Sequence, residues 1–135
     1  MSKSALYAAN TSAQNIAVNG NINPGTVIRR YGPNVNLSGS AIQISGAGYY
    51  EIDASFTAAP TAVGNVTITA FLNNVAIPGG TATESVSTAN DPANLAINCI
   101  VRQPCECCEG ISNLTFVLTG TASSVTNTAI VVEKL

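Results

Sequence analysis

The chain has 135 residues, 46% hydrophobic and only 9% charged, with five basic and seven acidic side chains and a net charge of -2. That length fits a single domain spanning residues 1-135, with roughly two-thirds of the unfolded surface buried on folding. The charge balance excludes a charge-driven disordered tail and the basic footprint of a nucleic-acid binder. No segment approaches the ~20 consecutive apolar residues of a membrane-spanning helix, so neither nucleic acid nor a membrane is an expected partner.

In chain order, the opening "MSKSALYAAN" holds one lysine and no apolar run long enough for a signal peptide, so a soluble protein without a visible export signal is expected. Its apolar residues Ala5, Leu6, Tyr7, Ala8 and Ala9 admit two readings: a first strand, or a docking segment at residues 1-9. "TVIRRYG" alternates as a strand does, and Arg29-Arg30, the sole basic cluster, reads as a solvated strand end. The stretch "INPGTVIRRYG" has neither the glycine-rich phosphate fingerprint nor a helix behind it. "AIQIS" is a further short strand.

"GAGYYEIDASFTAAP" is the most informative run. Tyr50, Ile52, Ala54 and Phe56 share one face of a strand, with Glu51, Asp53, Ser55 and Thr57 on the other. Gly46 and Gly48 mark the turn leading in. Tyr49 points away from Tyr50, toward solvent or a subunit contact. Glu51 and Asp53 lie ~7 Å apart on one strand face, a spacing that glycosidase carboxylates also use. A catalytic pair comes from different strands around a cleft, however, and these two read as a solvated face. A calcium site would need an Asp-rich loop, which is missing.

"VTITAFL" and "VAIPGG" flank Asn73-Asn74, a hairpin signal because Asn tolerates positive φ; Val66, Ile68 and Ala70 should point inward. Asn90-Asp91-Pro92 is a turn. In "LAINCIV", Cys99 shares a face with Leu95, Ile97 and Val101 and reads as a buried thiol. Cys105, Cys107 and Cys108 follow in a loop bounded by Pro104 and Gly110. Free or partly bridged thiols, disulfide cross-links and a metal site are the options there, in that order. Adjacent Cys107 and Cys108 pair with each other only under strain, so a bridge would run more naturally to Cys99, to Cys105 or to a symmetry mate. That makes Cys99, Cys105, Cys107 and Cys108 the disulfide or metal candidates, although C-x-C-C does not match structural zinc knuckles. "LTFVLTG" and "TAIVVEKL" close the chain as strands. The latter is apolar on both faces at Ala129, Ile130, Val131 and Val132, so a second layer is expected to cover it, most simply another copy of the chain. A central strand with a merely Val- and Ile-rich outer face is the alternative.

The chain has no histidine, which removes Ser-His-Asp and Cys-His nucleophile systems. No catalytic constellation is found, and no cofactor is expected. The sequons at Asn10, Asn65 and Asn113 read as chance products of an Asn- and Thr-rich composition.

The run Gly48-x-Tyr50-x-Ile52-x-Ala54-x-Phe56 resembles the Gly-x-Tyr strand of the tumour necrosis factor-like and complement-type globular head domains. The opening "ALYAANTSAQNIAVNGNI" is similar to that family's first strand and return, and "NTAIVVEKL" to its last, axis-proximal strand. The resemblance implies an all-β jelly-roll sandwich of about ten strands assembled as a homotrimer, with Tyr49, Tyr50, Ile130, Val131 and Val132 as the contact set. Small domains of this type resemble phage and spore surface proteins, and the collagen-like stalk that often precedes such heads is not in the sequence. The expectation is a non-enzymatic virion decoration or fibre-like protein, made in a host cytoplasm and attached to a virion shell or other capsid or tail proteins. The alternatives are a glycan- or receptor-binding head and a bacterial or spore-surface protein.

Overall fold

The computed structural model describes residues 3-104 and 110-135. All of the regular elements among them are strands: β1 Ala5–Asn10, β2 Gln14–Ile16, β3 Thr26–Tyr31, β4 Val35–Ser38, β5 Ala41–Ser45, β6 Gly48–Pro60, β7 Gly64–Leu72, β8 Val75–Val86, β9 Ala93–Gln103, β10 Ile111–Gly120 and β11 Ser123–Lys134. They form two antiparallel sheets. One runs β3-β1-β11-β6-β9, with β2 also paired to β11; the other runs β4-β5-β10-β7-β8. This is a jelly-roll sandwich, with one strand more than the expected ten. Each sheet puts every second side chain into the space between them, which is how alternation in sequence becomes a core.

That core holds Leu6 of β1, Ile42 and Ile44 of β5, Tyr50, Ile52 and Phe56 of β6, Val66 and Ile68 of β7, Leu114, Phe116 and Leu118 of β10, and Ile130 and Val132 of β11. The rings of Phe56 and Phe116 meet across the sheets at 5.3 Å between centroids, tilted by 57°, a favourable geometry for aromatic pairs. Residues 19-22 close one flank. Asn19 and Ile22 donate backbone bonds to Leu118 (2.7 Å) and Phe116 (2.8 Å), so the chain that leaves β2 in one sheet ends beside β10 in the other.

The turns use the residues their geometry demands. Asn73 and Asn74 adopt φ of 52° and 65° between paired Leu72 and Val75, a two-residue hairpin loop with both central residues left-handed. Gly46 has φ of 88°, and a Cβ there would run into the Asn34 amide. Asn90, at φ 69°, turns the chain into β9.

The apolar start of the chain is accounted for by the sheet. Ala5–Asn10 pairs with β11 on one side and β3 on the other, and Leu6 and Ala8 are buried. These residues are thus the first strand of the sheet.

One core atom is out of place chemically. Thr128 is fully buried on β11 and its Oγ1 has no hydrogen-bond partner among the described residues. A buried hydroxyl without a partner loses about 1–3 kcal/mol of solvation. Thr128→Val keeps the shape and is expected to raise stability by roughly 1 kcal/mol in urea unfolding. Phe116→Ala, which opens a cavity beside Phe56, should lower it by roughly 3–5 kcal/mol.

Candidate functional site

The outer face of the β3-β1-β11-β6-β9 sheet carries the exposed Tyr7, Tyr31, Tyr49 and Ile100 together with Arg29, Glu51, Asp53, Arg102 and Glu133. Strand register arranges them in rows. The first runs Tyr31, Ala5, Glu133, Glu51, Ile100; the second Arg29, Tyr7, Val131, Asp53, Asn98; the third Thr26, Ala9, Ala129, Ser55, Ala96. Tyr49 and Arg102 lie opposite each other one step beyond the first row. The middle columns are small or apolar: Ala5, Tyr7 and Ala9 on β1, then Ala129 and Val131 on β11. Ala96, Ala129 and Ser55 leave a shallow open depression of about 370 Å³, with Val131 and Asp53 on its rim.

The expected contact set divides along this sheet. Tyr49, 54% exposed, and half-buried Val131 are on the outer face. Tyr50, Ile130 and Val132 are each 0% exposed on the opposite face. Those three are core residues and cannot meet another chain, a correction that follows from the two-residue period of the strand: neighbours 49 and 50, or 131 and 132, never share a face.

Tyr50 has a different task. Its hydroxyl lies 2.9 Å from the Ser45 carbonyl and 2.8 Å from that of Gly46, donating into the turn before its own strand. The Asn34 amide donates to the same Ser45 carbonyl (2.7 Å), while Ser4 Oγ donates to Asn34 Oδ1 (2.8 Å). Ser4, Asn34, Ser45 and Tyr50 form a buried polar cluster that ties the start of β1 to the β5-β6 turn. No sequence motif marks Ser4 or Asn34. The termini meet at this end too, where Lys134 donates its backbone N–H to Ser4 and Leu135 donates to Tyr49, each at 2.8 Å.

Glu51 and Asp53 project from the open outer face as expected, and the Asn98 amide on β9 donates to Asp53 Oδ1. Glu51 stands directly opposite Glu133 of β11. They line no enclosed cleft. Cys99 is a buried free thiol in the core row with Leu95, Ile97 and Val101. Cys105, Cys107 and Cys108, and with them the choice among thiol, disulfide and metal, lie outside the described residues. The flanks of that loop are pinned by groups the sequence does not advertise: Gln103 donates to the Gly110 carbonyl (2.9 Å), and Ser112 Oγ donates to Gln103 Oε1. Among the described residues no three His, Cys, Asp or Glu side chains gather as metal ligands would.

Of the sequon asparagines, Asn10 accepts from the Ser12 N–H (3.0 Å) and donates to the Asn23 carbonyl (3.3 Å), while Asn65 accepts from Ser85. Both are used within the fold.

Burial raises the pKa of the Tyr50 phenol, and burial followed by the negative charge of Asp53 raises that of the Cys99 thiol. A folded-state pKa above the unfolded one contributes stability that is complete below the unfolded pKa and lost as pH climbs through the folded value. The thermal midpoint should therefore fall above about pH 9, where unfolded thiols ionise. Cys99→Ala should flatten that alkaline limb in a pH series of melting curves, and an unchanged limb would remove Cys99 from the explanation.

No family model matches the sequence, and no curated protein matches it. Solved structures do match the fold along almost the whole chain. Eiger TNF from S. frugiperda superposes with a TM-score of 0.70 at 11% identity, covering 98% of this chain and 91% of that one. The PRD1 vertex protein P5, a phage protein, gives 0.67 at 16% identity, covering 98% and 96%. The globular domain of zebrafish complement 1qA gives 0.66 at 5%, covering 97% and 95%. The fold is the tumour necrosis factor-like, complement-type jelly roll that the Gly48-to-Phe56 strand implied.

Proposed function

We propose that the chain is a non-enzymatic structural protein, a homotrimeric head displayed on a virion as a decoration or fibre-like component. The observation that carries this is the outer face of the β3-β1-β11-β6-β9 sheet. A sandwich covers only one face of each sheet, and the other is ordinarily polar. Here the exposed face carries Tyr7, Val131, Ala129, Ala9 and Ala5 down its centre, bracketed by Tyr31, Tyr49 and Ile100. A second copy of the same surface around a closed symmetry axis is the simplest cover for such a face. The fold-level likeness to a phage vertex protein supports the virion setting, and the histidine-free sequence supports a role without turnover.

The end holding Ser4, the β5-β6 turn and Leu135 is the one we assign to the particle, presenting the opposite end outward. Residues 5-9 then contribute as part of β1, and deleting them would remove most of that strand. At the outward end Asn15, Ile16, Ala17, Thr61, Ala122 and Ser123 line a shallow depression of about 280 Å³. This hollow supports the second reading, a glycan- or receptor-binding head.

Native mass spectrometry at micromolar concentration should give a species of three times 13.7 kDa. Val131→Asp, placed on the half-exposed face, is expected to leave a folded monomer, whereas Val132→Asp buries a charge in the core and should unfold the chain. A wild-type monomer would overturn the trimer. Peptide mass spectrometry of purified particles should find the chain at a copy number divisible by three; its absence from particles, together with tight binding on a glycan array, would favour the second reading.

A further inference from the structure

The proposed self-contacting face is electrically lopsided. Its β3 side carries Arg29, with Tyr31 beside it, whereas the β11 and β6 strips carry Glu133, Glu51 and Asp53. Among the described residues Arg29 donates only to the carbonyl of neighbouring Ile28, at 3.1 Å. Arg29 and Asp53 share a row but stand three strands apart. At ~4.8 Å per strand that is about 14 Å, too far for an ion pair within one chain. Glu51 and Glu133 meanwhile face each other directly across β6 and β11, and like charges directly opposite on paired strands are destabilising. On that half of the face Arg102 stands one step diagonal to Glu51 on β9, opposite Tyr49, while Lys134 follows Glu133 on β11 in the register of core-facing Tyr50. A chain in isolation thus keeps an arginine without a carboxylate at one edge and crowded carboxylates toward the other.

Resting on the trimer reading above, we infer that neighbouring copies meet head to tail through opposite halves of this face, the Arg29 edge of one copy lying against the Glu51 and Asp53 strip of the next. The arrangement brings a cation to the Glu51-Glu133 pair and a carboxylate to Arg29. The tyrosines beside Arg29 lie against Ile100 and the small-residue depression at Ala96, Ser55 and Ala129. Desolvated charge pairs of this kind fix register and suppress wrong arrangements more than they add raw affinity.

The number of subunits makes the inference sharply testable. Let one variant be Arg29→Glu, acidic on both halves, and the other Glu51→Lys with Asp53→Lys, basic at Arg29 and on the acid strip. Each alone presents like charges at every head-to-tail contact and should run as a folded monomer. The triple variant, reversed on both halves of one chain, should recover the trimer. An equal mixture of the two single-sided variants can match charges only by strict alternation. Three is odd, so no closed ring of three alternates, and the mixture should give no homogeneous trimer. Native mass spectrometry reads each outcome, and melting curves check that these outer-face substitutions leave the fold intact. Raising the salt from ~0.05 to ~1 M, where the screening length falls to about 3 Å, should weaken the wild-type trimer severalfold or more.

Trimers that persist in both single-sided variants, or a triple variant that stays monomeric, would overturn the pairing while leaving the trimer standing. A wild-type dimer in place of the trimer would mean that the faces meet about a two-fold axis, and would overturn the head-to-tail arrangement. A monomeric wild type would instead refute the trimer itself.

Discussion

The two-residue period of β11 is the constraint from which most of this molecule follows. Hydrogen-bonded to β1 on one side and β6 on the other, β11 has no freedom to slide, because a shift of one residue would exchange every core side chain for an exposed one. Thr128, Ile130 and Val132 thereby enter the sandwich, and Ala129 and Val131 stand outside it. The sequence spends apolar residues on both sets. A second hydrophobic surface is created by the strand that completes the first, and β1 extends it with Tyr7 between Ala5 and Ala9. Exposed apolar area of this kind, in the middle of a sheet rather than scattered singly, is what supports the proposed contact between copies.

Alternation was readable wherever one face was buried and the other wet. The strand patterns from "TVIRRYG" to "TAIVVEKL" each correspond to a strand, the Asn73-Asn74 hairpin lies where two residues must take positive φ, and Cys99 is in the buried row of β9. The short strands Gln14–Ile16 and Val35–Ser38 were not readable, because three or four residues give too little period to separate from coil. Tyr50, Ile130 and Val132 show a different limit. Their apolar character was plain, but both uses of an apolar residue, core and interface, write the same letters. Only the phase of the strand against the second sheet separates Tyr49 and Val131 from their neighbours.

The polar cluster at Ser4, Asn34, Ser45 and Tyr50 was illegible for a related reason. Its members are up to 46 residues apart in sequence and meet only once the sheets stack. The fold-family signature nevertheless carries a trace of it. A Gly-x-Tyr pattern at the start of a long strand looks like a core tyrosine following a turn. In three dimensions the tyrosine's hydroxyl reaches back to the carbonyls of that turn, so the two ends of the motif are parts of one hydrogen-bonded unit. Gln103 and Ser112 do the same for the loop between β9 and β10, holding its base closed from within the sandwich.

The placement of charge distinguishes the two sheets. With so few charged residues to distribute, the outer face of the β4-β5-β10-β7-β8 sheet carries none: its exposed rows are Thr67 with Thr83 (2.9 Å), Thr69 with Thr81 (3.3 Å) and Asn65 with Ser85 (2.5 Å), hydroxyls and amides bonded across β7 and β8. Such a surface stays hydrated without long-range fields. Arg29, Glu51, Asp53, Arg102 and Glu133 are all on the other sheet's outer face, among its apolar residues. The other described charges, among them exposed Glu84 on β8 and Asp91 in the turn before β9, lie elsewhere, so these five share the face that also presents Tyr7, Tyr31, Tyr49 and Ile100. In the proposed trimer their value is orientation, since an uncharged apolar patch of alanines, valine and tyrosine would tolerate many rotations of a neighbouring copy, whereas an arginine at one edge and carboxylates toward the other admit few.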